Sequence, residues 1–249
     1  MERTLSLLEL VNQQGSLSLA DAVALAGLPK TTAYRLLENL CRLGYLEKDA
    51  DRGYRAALRV LRLSSRFRDN EWLYRVAHPL ISELGRQLVY PLALATPFGT
   101  AMIIRDSTDF QSPLATTRHG EGTLLPLLKS ASGKAYIAHC PEPVREELCR
   151  LCATSELPEH ELAHHPEMLA QMIEQVRAQG YARTTRSVLA EEPREQITIA
   201  VPLFAGDELV ACLSLRHFEQ GVRPASVVER YLEPLKACAH RIGQCVVSG

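Results

Sequence analysis

Apolar residues recur every three or four positions in the first part of the chain, which predicts three consecutive α-helices. The first helix is expected over residues 3–13. The second is a short helix that starts after Ser18, a good N-cap residue, and ends at Gly27. The third starts at Leu28-Pro29, because proline suits the first turn of a helix. This third helix is expected to bury five apolar residues, namely Ala33, Leu36, Leu37, Leu40 and Leu43.

The opposite face of the third helix is polar and suited to hydrogen bonds with phosphates and base edges. It presents Lys30, Thr31, Thr32, Tyr34, Arg35, Asn39 and Arg42. After Gly44, residues 45–48 and 53–55 predict two short strands around a polar turn at 49–52. Three helices followed by such a hairpin are typical of a winged helix-turn-helix, which binds DNA.

Within this predicted fold, the first turns of the third helix are the part that enters the major groove. The candidate DNA contacts on it are Lys30, Thr31, Thr32, Tyr34 and Arg35. Arg52, in the turn of the hairpin, is a further candidate that would contact a phosphate or the minor groove. The alternative is a solvated helix face without a partner.

The rest of the chain contains both segments with a helical pattern of apolar residues and segments with a strand pattern. Helices are expected at 71–88, with a kink at Pro79, and at 132–139, 143–151, 166–179 and 224–247. Strands are expected at 92–96, 101–105, 114–117, 196–204 and 208–216, the last two as a hairpin. This order predicts an α+β fold with an antiparallel sheet. The predicted organisation is a winged helix-turn-helix at 1–57, a helical linker at 58–70 and a second domain at 71–249.

Charge is uneven along the 249 residues. Residues 1–70 hold 11 basic against 8 acidic residues, whereas the remainder holds 17 against 21. A basic region at residues 1–70 and an acidic remainder agree with nucleic-acid binding by residues 1–70 alone. The sequence has no long apolar run and no secretion signal, and its seven cysteines are scattered, which predicts free thiols in a reducing cytoplasm without membrane contact.

Three segments, in this order and spacing, resemble the IclR family of transcription regulators. They are LPKTTAYRLLENLCRLGYLE from Leu28, LPLLKSASGKAYIA at 125–138, and ITIAVPLF followed by LVACLSL at 197–215. The stretch FRDNEWLYRVAHPLISEL from Phe67 is similar to regulators of aromatic-acid catabolism, such as the 3-hydroxyphenylpropionate type. The resemblance implies a homodimer or a dimer of dimers that binds an operator in double-stranded DNA. It also implies a GAF/PAS-like C-terminal domain that binds a small organic acid, with no catalysis and no cofactor.

The segment from Leu124 to Ala135 leads from apolar residues into small residues at a predicted helix start. A helix N-terminus can hold a carboxylate, although a capped helix without a ligand is the alternative. The resemblance implies effector contacts at Leu125, Ala131, Ser132, Thr198, Ser214 and Arg216. For Arg216, the residues leave open a bond to a carboxylate or an exposed strand arginine.

The chain departs from the glyoxylate-binding members of the family in three ways. Arg216 replaces a small polar residue, Thr184 replaces an acid, and extra residues lie between Thr184 and Thr198. These departures disfavour two-carbon acids, and we expect a small monocyclic aromatic carboxylate as the effector, with a short aliphatic acid as the alternative.

Two other functions have weaker support. Cys149 and Cys152, with His160, His164 and His165, resemble a zinc site and would suit a metal-responsive repressor. Because the two cysteines fall in a predicted helix, where such a pair often faces the core, no metal is expected. An enzyme with a DNA-binding head is the second alternative, but no nucleophile is paired with a base. The preferred interpretation is a ligand-responsive transcription regulator, not an enzyme.

Overall fold

The computed structural model describes residues 2–49, 53–64, 71–115, 118–188, 194–218 and 224–248. The chain divides into two compact units, Met1–Asp69 and Asn70–Gly249, which we call the N-terminal unit and the C-terminal unit.

The N-terminal unit contains the predicted winged helix-turn-helix. Its elements are α1 (Glu2–Gln14), α2 (Leu19–Ala26), α3 (Lys30–Arg42), and the strands β1 (Leu46–Lys48) and β2 (Tyr54–Ala56). The two strands pair antiparallel, and Leu17 adds a bridge to Tyr54. The Ser18 hydroxyl accepts a hydrogen bond from the Asp21 N–H, so it caps α2 as predicted.

The core of this unit forms where the three helices meet. The apolar residues that close it include Leu7, Val11, Ala22, Leu37, Leu40 and Leu46. The prediction for Leu43 is wrong, since this side chain is 44% exposed. The reason is that α3 ends at Arg42, so Leu43 lies at the C-cap, where the chain leaves the helix and turns through Gly44.

The predicted connector begins as a 3₁₀ turn, Leu58–Val60, followed by the short helix α4 (Leu61–Ser64). The C-terminal unit then starts with a π-helical turn, Leu73–Ala77, that runs into α5 (His78–Leu88). The irregularity lies just before Pro79, the predicted kink. Proline has no N–H to donate to a carbonyl of the preceding turn, so regular α-helical bonding is interrupted there.

A six-stranded sheet forms the centre of the C-terminal unit. Its strands are β3 (Leu92–Phe98), β4 (Ala101–Ser107), β5 (Leu124–Pro126), β6 (Ala182–Val188), β7 (Arg194–Ala205) and β8 (Glu208–Phe218). The order is β5-β4-β3-β8-β7-β6, and every neighbouring pair is antiparallel. The remaining helices are α6 (Ala131–His139), α7 (Glu142–Ala153), α8 (Pro166–Gln179) and α9 (Pro224–Ser248), with a 3₁₀ turn at Pro158–His164. The predicted α+β fold with an antiparallel sheet is confirmed.

Each face of the sheet carries its own apolar cluster, because side chains alternate along a strand. Ile197, Ile199 and Val201 of β7 pack with α5 and α9 on one face. On the other face, small residues contact α6: Ala95, Ala182, Ala200 and Cys212. Their small size lets α6 lie close to one half of this face. The polar residues that continue the same face, such as Thr198, lie beyond the start of the helix.

Three strand assignments differ from the prediction. Leu114 and Ala115 lie in a turn rather than in a strand, and the rest of the predicted strand 114–117 falls outside the described residues. β5 and β6 were not predicted. Thr184 of β6 pairs directly with Thr198 of β7, and residues 189–193 between the two strands lie outside the described residues. Among the described residues, no helix has the length and apolar character needed to cross a bilayer.

Candidate functional site

The exposed face of α3 carries the predicted DNA contacts. Lys30, Thr31, Tyr34 and Arg35 are exposed, and Thr32 is half-buried. The charged groups of Lys30 and Arg35 have no ion-pair partner within the described ranges. They are therefore available to a phosphate or a base edge. Arg52, the sixth candidate, lies outside the described residues.

Glu38 joins α3 to the wing. Its carboxylate accepts a hydrogen bond of 2.8 Å from the Tyr54 hydroxyl and lies 2.7 Å from the Lys48 ammonium group. The hydrogen bond from Lys48 lowers the pKa of Glu38, and the bond from Tyr54 adds to this effect. Next to it, the Asp49 carboxylate accepts the Gly53 N–H at 2.7 Å. These contacts hold the recognition helix and the hairpin together as one surface.

In the C-terminal unit, a cavity of about 600 Å³ lies on the polar part of the sheet face, next to the start of α6. All six predicted effector residues line it: Leu125, Ala131, Ser132, Thr198, Ser214 and Arg216. Lys129, Lys134, Arg183 and Arg186 are also in its wall. The described lining contains no Asp or Glu. The volume is that of a typical small-molecule site.

The start of α6 forms one end of the cavity. Ser130 caps the helix, since its hydroxyl accepts the Gly133 N–H at 3.0 Å. Gly133 has no room for a side chain, because a Cβ there would lie 1.9 Å from the Leu127 carbonyl oxygen. Ser132 is buried, and the half-buried Lys134 follows in the first turn. Burial lowers the pKa of Lys134, which has no ion-pair partner in the described part of the chain.

Strand register arranges the remaining polar residues in rows across the sheet. The row nearest α6 holds Ala182, Ala200 and Ser214. The next row holds Thr184, Thr198 and Arg216, and the row beyond it holds Arg186 and Gln196. Ser214 donates its hydroxyl proton to the Ala93 carbonyl at 3.1 Å. Its oxygen therefore faces a ligand mainly as an acceptor.

Arg216 is buried, so the exposed-arginine alternative is wrong. Its guanidinium group pairs with the carboxylate of Asp109, which is fully buried and also accepts the His119 N–H at 2.6 Å. Burial lowers the pKa of His119, with a further contribution from the charge of Arg216. Asp109 was missed by the sequence analysis, since nothing in the sequence connects it to a residue 107 positions away.

Gln196 was also missed. It lines the cavity, is only 4% exposed, and accepts a hydrogen bond of 3.2 Å from Arg186 at its carbonyl oxygen. Its amide nitrogen has no hydrogen-bond partner among the described residues. The signal in the sequence was its position two residues before Thr198, which places both on one strand face.

The cysteine and histidine residues do not converge. Cys152 packs in the apolar cluster beneath α6, and burial raises its pKa to about 11. His164 donates to the Ser155 carbonyl at 3.1 Å. No group of three or more metal-ligating side chains occurs within the described ranges. The metal-sensor alternative thus gains no support.

Comparison with known families covers both units. The IclR helix-turn-helix domain matches residues 1–50, and the bacterial transcriptional regulator IclR C-terminal domain matches residues 68–244. The chain belongs to the IclR family. It is therefore a transcription regulator with a DNA-binding domain and a C-terminal ligand-binding domain, rather than an enzyme.

Relatives within the IclR family cover most of the chain at low identity. The chain is 26% identical to the transcriptional regulator KipR of Bacillus subtilis, over 87% of this chain and 85% of KipR. It is 24% identical to the p-hydroxybenzoate hydroxylase transcriptional activator of Acinetobacter baylyi, over 92% of this chain and 84% of the activator.

A solved IclR homologue from Microbacterium hydrocarbonoxydans, in complex with 4-hydroxybenzoate, shares the fold. It aligns with a TM-score of 0.68 at 23% identity, over 99% of this chain and 98% of the homologue.

Proposed function

We propose that the protein regulates the transcription of an aromatic-acid catabolic operon, and that a monocyclic aromatic carboxylate is its effector. The observation that carries this proposal is the cavity of about 600 Å³, with five cationic residues and no acidic residue in its described lining. Such a wall attracts anions and disfavours cations.

An aromatic ring suits the remaining wall. Ile104, Leu125 and Pro126 offer apolar contacts, and the small side chains of Ala93 and Ala131 leave space for a flat ring. The carboxylate would bind at the start of α6, near Ser132, with Thr198 and Ser214 as further polar contacts. The relatives support this choice, since one is named for p-hydroxybenzoate hydroxylase and another was solved with 4-hydroxybenzoate.

We assign one role to each of the three predicted segments of the chain. Residues 1–57 bind the operator through Lys30, Thr31, Thr32, Tyr34 and Arg35 on α3, with Arg52 as a backbone contact. Residues 58–70 link them to the effector and oligomerisation domain at 71–249. As a homodimer or a dimer of dimers, the protein would bind a pseudo-palindromic site through one recognition helix per half-site. Effector binding would regulate operator binding only if the ligand prefers one arrangement of the two DNA-binding domains of the dimer.

Calorimetric titration with benzoate, 4-hydroxybenzoate, glyoxylate and pyruvate tests the effector class. We expect an aromatic acid to bind with a Kd below about 1 mM, and Ser132→Phe to abolish binding because the ring fills the cavity. Ser155→Phe, outside the cavity, is the control. Absence of aromatic-acid binding, or wild-type affinity in Ser132→Phe, contradicts the proposal.

A further inference from the structure

We infer that the effector carries two carboxylates, one bound at the start of α6 beside Lys134 and the other bound at β6 by Arg186. This inference rests on the proposed function, namely that the cavity binds an organic acid. It adds the number of charges on the ligand and names Arg186 as a specificity-determining residue, which selects dicarboxylates over monocarboxylates.

The positive charge of the cavity exceeds what one carboxylate can neutralise. Five cationic residues line the cavity, and Arg216 is already paired with the buried carboxylate of Asp109. The other four have no ion pair within the described ranges, namely Lys129, Lys134, Arg183 and Arg186. When a ligand displaces water from the cavity, a cation that is left without a counter-charge loses part of its hydration. A second carboxylate on the ligand compensates this loss.

The two cations that carry the inference lie in different parts of the cavity. After burial, the charges of Arg216 and Arg186 contribute to the lowered pKa of His119, so both guanidinium groups lie near this ring. Burial is the one cause of the lowered pKa of Lys134, so no other charged group of the described chain lies close to its ammonium group. Positive charge is thus available both at the start of α6 and at the sheet.

Arg186 is held by a neutral partner and remains within reach of a ligand. Its guanidinium group donates to the side-chain carbonyl oxygen of Gln196 at 3.2 Å. A carbonyl oxygen positions the guanidinium group but does not neutralise it. Arg186 is exposed and lines the cavity, so a ligand can contact its other donors. The planar fork of an arginine can bind a carboxylate through two parallel bonds, which a neutral group does not match.

Lys134 gives a less selective contact. It is half-buried in the first turn of α6, where the N–H groups of the helix add partial positive charge. Its ammonium group is a point charge and binds a carboxylate without a fixed orientation. Every carboxylate ligand gains from this contact, whereas only a second acid group gains from Arg186. The contact with Arg186 therefore distinguishes dicarboxylates from monocarboxylates.

Isothermal titration of the full-length protein with benzoate, phthalate, isophthalate, terephthalate and adipate tests the number of charges. We expect one of the three aromatic dicarboxylates to bind about tenfold more tightly than benzoate, because it adds a charge-assisted bond. The monoamide of that dicarboxylate, with CONH₂ in place of one carboxylate, keeps the shape and loses one charge. It should bind about tenfold more weakly than the dicarboxylate.

Two cavity variants separate the two contacts. Arg186→Gln should lower the affinity for the dicarboxylate about tenfold and that for benzoate by less than about threefold. Lys134→Gln should weaken both acids alike, since each places a carboxylate at the start of α6. The matched control is Arg150→Gln, which removes an exposed arginine of α7 outside the cavity lining and should bind both acids as wild type does.

If benzoate binds and no dicarboxylate binds more tightly, the inference fails and the proposed effector class stands. The inference also fails if the monoamide binds as tightly as the dicarboxylate, or if Arg186→Gln keeps the preference with an unchanged thermal unfolding midpoint. Binding of adipate alone would contradict the aromatic effector and support the two charges. If no acid binds, the inference and the proposed function fail together. The comparison of ligands on wild type needs no variant, so misfolding of Arg186→Gln does not remove the test.

Discussion

Arg35 and Arg216 show how one kind of side chain serves two different tasks. Arg35 stands on the exposed face of α3, with no ion-pair partner in the described chain, and keeps its five donors for an external acceptor. Arg216 lies inside the C-terminal unit, where the Asp109 carboxylate neutralises it. The first arrangement suits the binding of DNA, and the second suits a fixed polar wall.

Arg35→Ala should therefore weaken binding to the cognate operator by about 1–3 kcal/mol, because a guanidinium group can form two bonds with a guanine. Arg42→Ala removes the same side chain from the last turn of α3, where Arg42 donates to Asn39, and should have a smaller effect on the difference between operator and unrelated DNA. Fluorescence anisotropy with both DNAs measures this difference. Unchanged operator affinity in Arg35→Ala would rule out the proposed base contact.

The residues that line the cavity were predictable to different degrees. Ser132, Thr198 and Ser214 were expected from the resemblance to the IclR family, and strand alternation adds that Ser214 and Arg216 share one face of the sheet. Asp109 and Lys134 do not follow in this way, because their importance depends on which charges are paired in three dimensions. Only the folded chain brings Asp109 to Arg216 across 107 positions.

In the C-terminal unit, two helices each contact a backbone carbonyl group through a glycine. Gly133 of α6 lies against the Leu127 carbonyl, and Gly243 of α9 lies against the Phe204 carbonyl. In both places a Cβ would be 1.9 Å from the carbonyl oxygen. No side-chain rearrangement relieves such a contact, so the helix itself would have to move.

Gly133→Ala and Gly243→Ala should each destabilise the protein by about 1–3 kcal/mol, as measured by urea unfolding. Only Gly133→Ala should also weaken aromatic-acid binding, because Gly133 sets the position of Ser132 and Lys134, whereas Gly243 lies outside the cavity lining. Equal ligand affinity in the two variants would show that the start of α6 does not hold the ligand.

Most elements were predictable because their apolar residues follow a clear period. The helices of the N-terminal unit and the β7–β8 hairpin are such cases. β6 was missed because Arg183, Thr184, Thr185 and Arg186 are all polar, and their strand conformation depends on pairing with β7. Leu114 was assigned to a strand on local composition, but no partner strand lies beside it in the described sheet.

At the scale of the whole molecule, the connector after the wing exposes large apolar side chains. Leu58, Leu61 and Leu63 are 84%, 64% and 61% exposed. A cluster of exposed leucines on a short helical segment is typical of a surface that is covered in an assembly. This exposure supports the proposed pairing of two subunits.

We therefore expect wild type to sediment as a dimer or a tetramer at micromolar concentration. The double variant Leu58→Glu/Leu61→Glu should shift the distribution to a smaller species and lose operator affinity, since charges in an apolar interface oppose association. Leu157→Glu, at a 53% exposed leucine of the C-terminal unit, is the control. A monomeric wild type would contradict the proposed assembly.

The Asp109–Arg216 pair also bears on how this regulator can diverge from its relatives. Removal of one member of a buried ion pair typically costs about 3–5 kcal/mol, a large part of the stability of a domain. Neither position can drift alone without that loss, so the two are expected to be inherited as a unit. Duplicated descendants that acquire a small polar residue at position 216 should then also lose the acid at position 109. A change of effector in this lineage would involve two coupled substitutions rather than a single one.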